Sequence, residues 1–418
     1  MRIITFFTIM LISSIGYAQS QDNFDAKLAW QEFYHVFNQD YAYKETSQID
    51  TANLLLQYQK KALLAKSNSE FIDVVQIFLR HFQDPHLNIG PLNNDDYSVT
   101  PTGSDIWAVY KGGKYLVGDL KAGGAAYKAG IKVNSEVITV DGLSVEAAIN
   151  KVFGGTIASL TKQQKLWGLN IALGGLRNQA RTITIVQDNK LQMYKLAATY
   201  EAINRAGSEP TLSFKNMNEI GYIRFNNSLG NADTVSAFKE AIGQLIDTKA
   251  LIIDLRNIPS GGNTSVAEPI LGHFVQQETV YQLYQRQLNG IPFHKAELEK
   301  AVVKPSMPFY GKPFVVLAGR WTGSMGEGMM IGLDALGAHA VIGAPTADLL
   351  GGIKNVKLMK SGAVLDLGFE RMFHVNGSYR EDFQADIRIS AADWGENDMD
   401  PALIKAINYL NSADVNLP

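Results

Sequence analysis

The stretch GRWTGSMGEGMM, residues 319–330, carries a serine three residues ahead of a glutamate, at the start of a helical run. This S-x-x-E spacing is that of a capping box, in which the two side chains satisfy orphan amides at a helix start. It also puts a hydroxyl where free N–H groups and the helix dipole favour negative charge. Local pattern therefore leaves Ser324 open to two readings, a cap held by Glu327 or a nucleophile. A serine hydroxyl is a weak nucleophile and needs a base to take its proton. The chain has 7 histidines and no cysteine. The missing cysteines exclude disulfides, thiolate metal sites and cysteine nucleophiles together. The histidines are scattered without paired spacing and there is no H-E-x-x-H, so neither a metal nor another cofactor is expected.

The elements that must position such a serine follow from composition and periodicity. At 418 residues, with 46% hydrophobic and 19% charged, the chain has material for two or three domains with sizeable cores. A formal net charge of -3 and no basic run interleaved with aromatics argue against a nucleic-acid surface. The start, MRIITFFTIMLISSIGYAQS, has one basic residue and then an uncharged, largely apolar segment ending in small residues. This pattern predicts a signal peptide over residues 1–18 and an exported mature chain, periplasmic or extracellular. The apolar run is shorter than the ~20 residues of a membrane span.

Residues 25–82 read as helical, with Ser69 expected to cap the run that follows it. The helical pattern stops at Asp84-Pro85. From about residue 105 to 200 the period shortens to strands, YLVGDL, EVITVDG, RTITIVQ and LQMYKLA. The last two form a hairpin candidate across Asp188-Asn189. A helix, SLTKQQKLWGLNIAL, lies among them, and EAINRAGSEP reads as a linker. Beyond residue 212 the pattern becomes β-α-β. IGYIRF, ALIIDLR, PFVVLAG and HAVIGA are strands, the later ones apolar throughout as in sheets covered on both faces. The expected class is α/β with a layered, parallel core.

Four blocks in order carry a family resemblance: FQDPHLNI; VGDLKAGGAAYKAGIKVNSEVITVDGLSV; LIIDLRNIPSGGNTSVAEPILGHFV; and VVLAGRWTGSMGEGMMIGLDALGAHAVIGAPT. The closing WGENDMDPALIKAINYL adds a fifth. Together they resemble the serine peptidase family of the tail-specific, or carboxyl-terminal-processing, proteases and the tricorn core protease. The resemblance implies an α/β (α+β multi-domain) protein with a ClpP/crotonase-like layered core. It implies a helical N-terminal segment (19–100), a PDZ-like module (101–200) and a serine protease core (201–418).

The resemblance also implies roles. Ser324 becomes the nucleophile. Gly261 and Gly262 of the Ser260-Gly261-Gly262 loop, with the backbone amide of Met325, become the oxyanion hole, and such donors are worth a few kcal/mol each. The lysine of the bacterial tail-specific dyad falls at about Leu349, which cannot accept a proton, while Lys354 and Lys357 are out of register and read as solvated strand residues. The tricorn-type branch uses a histidine base instead, and His86 occupies its position, although Pro85 and Leu87 replace the usual neighbours. An imidazole titrating near pH ~6.5 can serve as a base at neutrality. Glu381 in the segment REDF is the implied orienting carboxylate, with Asp382 as its rival, and Asp386 reads as structural. His35, His81, His273, His339 and His374 are read as structural. The expected reaction is peptide hydrolysis through an acyl-enzyme, on a peptide or unfolded protein. One rival is a catalytically lapsed protein binding peptides or small hydrophobes on the same scaffold, capturing an extended peptide by strand addition. Another is a crotonase-type enzyme, which an export signal disfavours.

Overall fold

The computed structural model describes residues 24–155, 160–199, 209–287, 293–390 and 399–412. The expected signal peptide and most of the expected linker lie outside the described residues. The serine-bearing region is a six-stranded sheet. Its order is Ile387–Arg388, Ala340–Gly343, Phe314–Ala318, Ala250–Asp254, Ile220–Phe225 and Leu212–Met217. All neighbours are parallel except the last hairpin. The strands ALIID, FVVLA and AVIG are buried at every position. Helices Asp233–Leu245, Thr264–Leu271 and Met325–Ala335 cover one face, and Pro401–Leu410 covers the other. Burial on both faces explains why these strands read as unbroken apolar runs.

Two central strands approach closely at Gly343, where a Cβ would sit 1.7 Å from the Ala318 carbonyl oxygen. Gly343→Ala is expected to cost about 3 kcal/mol or more, by forcing the two central strands apart. Chemical denaturation followed by circular dichroism checks this, and a midpoint unchanged from wild type would contradict it.

The second sheet runs Ile106–Lys111, Lys114–Leu120, Glu136–Val140, Arg181–Gln187, Lys190–Leu196, with Leu143–Ser144 paired to its third strand. Asp188 and Asn189 both have positive φ, 51° and 59°, as a two-residue hairpin turn of type I′ requires. Ile106–Lys111 is an edge strand, and helix Lys162–Gly174 lies against it. The Asn170 side chain accepts from the Ala108 amide at 2.6 Å and donates to the Ala108 carbonyl at 3.2 Å. This helix therefore takes backbone groups that an added peptide strand would use there.

The third sheet ties the two ends of the chain together. Strand Asn88–Gly90 pairs antiparallel with the start of Val364–Phe373, which also pairs with Gly352–Lys357 and Thr279–Arg286. Helices Ala26–Asp40, Thr51–Ala62 and Asn68–Arg80 share a core with Leu358, Leu365 and Leu367 from this sheet. Aromatic rings dominate that core. Phe78 meets Phe33 and Phe37 edge-on at centroid distances of 5.7 and 5.3 Å. The third helix is capped by Ser67, whose hydroxyl accepts from the Glu70 amide, and not by the expected Ser69, which lies inside the helix. The short strand after residue 87 thus carries His86 to the C-terminal half of the chain.

Candidate active site

Ser324 sits between the buried strand Phe314–Ala318 and the helix Met325–Ala335, at φ 52° and ψ −113°. An ordinary N-cap residue uses the β region. An L-residue held at positive φ outside it is strained, and such strain clusters at functional sites. The Ser324 amide donates to the Glu327 carboxylate at 2.7 Å, so Glu327 caps the turn by holding the serine's own backbone. Upstream, Trp321 donates to the Ser104 carbonyl at 2.6 Å and Arg320 lies over the Trp107 ring at 4.3 Å. Those two contacts brace the serine loop against the second sheet.

The glycine loop lies directly against the serine. Gly261 has φ +65°, and a Cβ there would fall 2.4 Å from Ser324 Cβ and 2.9 Å from its Oγ. Gly262 is equally crowded, against the Leu229 backbone at 2.2 Å. Only glycine allows this approach. The Gly261 amide makes a long bond to the Ile258 carbonyl at 3.4 Å. The Gly262 and Met325 amides have no backbone partner among the described residues.

His86 is buried, with Nδ1 3.0 Å from the Leu350 carbonyl oxygen. A carbonyl only accepts, so Nδ1 carries the proton and Nε2 keeps its lone pair. The partner expected of a carboxylate is thus a backbone oxygen. Asp84 holds the loop from behind. Its carboxylate accepts from the His86 amide at 2.9 Å and from the Tyr41 hydroxyl at 3.0 Å. Burial pushes Asp84 up to about 7, against these bonds.

Burial also drives His86 down to about 4, the Leu350 carbonyl opposing and the Arg380 guanidinium reinforcing the shift. His86 is therefore neutral, the form a base needs, throughout the neutral range. Its depressed value stabilises the folded state above the unfolded pKa of ~6.5, and that stability is lost as pH falls toward 4. For reaction at Ser324 this predicts a rate whose acid limb has its midpoint near 4, not ~6.5. A pH profile of the single-turnover labelling rate checks it, and a midpoint at the free-imidazole value would contradict a buried base.

Glu381 lies in the 3-10 turn Arg380–Asp382. Its Oε2 is buried without a hydrogen-bond partner, and burial raises its pKa. Its charge is felt by Tyr41, Tyr43 and Asp84, and no hydrogen bond joins it to His86 among the described residues. Asp382 is exposed. Asp386 accepts from the Val341 amide at 2.8 Å, a sheet contact. Leu349, at the dyad-lysine position, is buried against Gly323. Lys354 is exposed and paired with Asp40 at 2.8 Å, and Lys357 is exposed. No hydrogen bond joins Ser324 Oγ to His86 among the described residues, although both flank the loop 346–351.

Sequence reading missed Arg380, Asp84 and the Leu350 carbonyl. Arg380 stands beside the glutamate that the REDF segment singled out, and its side chain is the most buried of that turn. Asp84 was read only as the helix-stopping partner of Pro85.

No curated protein sequence matches the chain significantly. The crystal structure of mature CPAF superposes with a TM-score of 0.62 at 16% identity, covering 92% of this chain and 96% of that one. The photosystem II D1 C-terminal processing protease gives 0.56 at 16% identity, over 87% and 93%. A putative peptidase from Parabacteroides merdae gives 0.56 at 14%, over 93% and 97%. At these identities the likeness is one of fold, and it runs through nearly the whole chain. Residues 219–389, which hold the glycine loop, Ser324 and the turn with Arg380, match the model of peptidase family S41, so that this part of the chain is similar to that family of serine peptidases.

Proposed function

We propose that the protein is an exported serine peptidase that hydrolyses peptide bonds through an acyl-enzyme on Ser324, with His86 as general base. The observation that carries this reading is Ser324 itself, held at positive φ at a helix N-terminus with Gly261 pressed against its side chain. Ser324 Oγ attacks the substrate carbonyl carbon while its proton passes to His86 Nε2. The carbonyl oxygen becomes an oxyanion facing the amides of Met325 and the Gly261-Gly262 loop. Collapse of the tetrahedral intermediate breaks the C–N bond, and the leaving amine takes the proton from His86. Water, deprotonated by His86, then releases the acid and restores Ser324. Glu381 is kept as the candidate third member, a buried carboxylate whose charge reaches Asp84 in the loop of His86. Before the substrate binds, Leu350 does the orienting.

A cavity of about 920 Å³ opens beside Leu350, between the N-terminal helices and helix Lys162–Gly174. Trp107, Trp167, Asn170 and Gln164 are among its walls, with Asp50, Lys61 and Asp348, a mixed aromatic, amide and charged lining with room for an extended stretch of polypeptide. The rival reading, a binding protein on a lapsed scaffold, draws support from Leu349 in place of a lysine and from the unformed Ser324–His86 bond. Catalytic hydrogen bonds are often loose before substrate arrives, so the gap does not favour the rival.

The deciding experiment is reaction of the purified mature chain with a fluorophosphonate probe, read by intact mass and peptide mapping, beside cleavage of an unfolded protein substrate. A single adduct on Ser324 with cleavage supports the peptidase. A folded protein that neither labels nor cleaves, yet binds the substrate, supports the rival. N-terminal sequencing of the protein from the culture medium or periplasm tests export, with a start near Gln19 expected.

A further inference from the structure

We propose that the buried pair Glu327–Arg380 is a positioning clamp that holds nucleophile and base in register, acting mainly through backbone groups. This rests on Ser324 and His86 being the reacting pair. Both side chains are almost wholly buried, and their charged ends approach to 3.9 Å. Buried charges persist only where pairing and hydrogen bonds satisfy them, and these two direct nearly all their bonds to the same two segments.

Glu327 accepts from the amides of Ser324 at 2.7 Å, Asp348 at 2.9 Å and Leu349 at 3.2 Å, and from the Thr346 hydroxyl at 2.8 Å. Arg380 donates to the carbonyls of Ser324 and Gly351, each at 3.4 Å, and to that of Leu349. The carboxylate therefore takes the amide of Ser324 and the guanidinium takes its carbonyl. The same two groups grip residues 346–351 on both sides of Leu350, whose carbonyl holds His86 Nδ1. The serine's strained backbone and the carbonyl that anchors the imidazole thus share one buried salt bridge. Arginine suits this place because its planar fork addresses several carbonyls at once, which a lysine ammonium cannot do in the same geometry.

The titratable groups around the network are Asp84 from the loop of His86, and Tyr41 and Tyr43 after the first helix. Asp348 adds to them from the clamped loop, Arg320 from the segment before the serine, Glu370 from strand Val364–Phe373, and Glu381 and Asp382 from the 3-10 turn. Of the charged groups, Arg380 is the one that bears on His86.

The test uses Arg380→Lys, Arg380→Gln and Glu327→Gln in the full mature chain, with two readouts. The first is the single-turnover rate of fluorophosphonate reaction at Ser324 against pH. The second is the His86 Nδ1–H resonance in long-range proton–nitrogen spectra, assigned with His86→Gln, which reports the imidazole whether or not the protein is an enzyme. Misplacing reacting groups by an ångström can cost on the order of 100-fold, so each variant is expected to slow labelling by about 10- to 100-fold. Arg380→Gln should in addition move the acid limb to higher pH, because a cation near His86 is gone, while Arg380→Lys should leave it in place. All three should lose or shift the Nδ1–H resonance. A role confined to stability would lower the melting temperature while rate profile and resonance stayed as in wild type, and that result overturns the clamp. If Arg380→Gln does not fold, Arg380→Lys and Glu327→Gln decide by rate and resonance. A wild type that never labels while the variants still shift the resonance would remove the peptidase reading and keep the clamp.

Discussion

Ser324→Ala is expected to abolish fluorophosphonate labelling, and His86→Ala to reduce it by on the order of 10⁴-fold or more, with both variants folded. Members of a serine–base pair act as a unit, so losing either removes most of the acceleration that both supply. The packing around each residue explains why the fold should survive. Ser324→Ala removes one oxygen and leaves the backbone bonds to Glu327 and Arg380 in place. His86→Ala leaves its amide bonded to Asp84. It does vacate the imidazole site and strip the Leu350 carbonyl of its partner, a loss of about 1–3 kcal/mol that shows as a lower melting temperature. Labelling of Ser324→Ala at another serine would displace the nucleophile. Labelling of His86→Ala at the wild-type rate would remove His86 as base. Glu381→Ala is expected to act more weakly, because no hydrogen bond links Glu381 to the imidazole among the described residues.

The second large effect is at Gly261. Gly261→Ala puts a methyl 2.4 Å from Ser324 Cβ and 2.9 Å from the Met325 nitrogen, and forces an L-residue to φ +65°. The conformational cost is about 1 kcal/mol, which a domain of this size tolerates. The clash is another matter, since either the serine or the loop must shift. Removing one oxyanion donor costs about 10²–10³-fold in rate, and under the proposed mechanism this substitution would disturb donor and nucleophile together. The expected result is a fall in kcat of at least that size with a melting temperature only a few degrees lower. Full activity in Gly261→Ala would mean that the loop is merely a strand-to-helix turn. Set beside Gly343→Ala, the two glycines separate function from folding. At Gly261 the added carbon meets the site, and at Gly343 it meets the carbonyl of a central strand.

The bonds of Glu327 resolve the ambiguity of the S-x-x-E spacing in a way that spacing could not. Glu327 does cap, but it also binds Thr346, Asp348 and Leu349, none of them in the helix. At 2% side-chain exposure its pKa is pushed up to about 7, a burial no surface cap would accept. A residue that reads as local thus proves to be long-range.

What the amino-acid sequence determined by itself is local and periodic. The all-apolar runs of Ala250–Asp254 and Phe314–Ala318 are legible because burial on both faces leaves no polar position to break them. The Asp188-Asn189 turn is legible because few residues accept positive φ twice in succession. The Gly261 loop is legible because close backbone approach at positive φ demands glycine. Tertiary structure alone decided what faces what. The Leu350 oxygen that orients His86 lies 264 residues away and belongs to a backbone, and a backbone carbonyl has no letter in the sequence. Which of Arg380, Glu381 and Asp382 turns inward depends on the rotation of one short turn against the serine helix. The depressed pKa of His86 and the raised pKa of Asp84 come from burial by the N-terminal helices and the C-terminal sheet. Desolvation belongs to the assembled fold, and no single stretch of chain carries it.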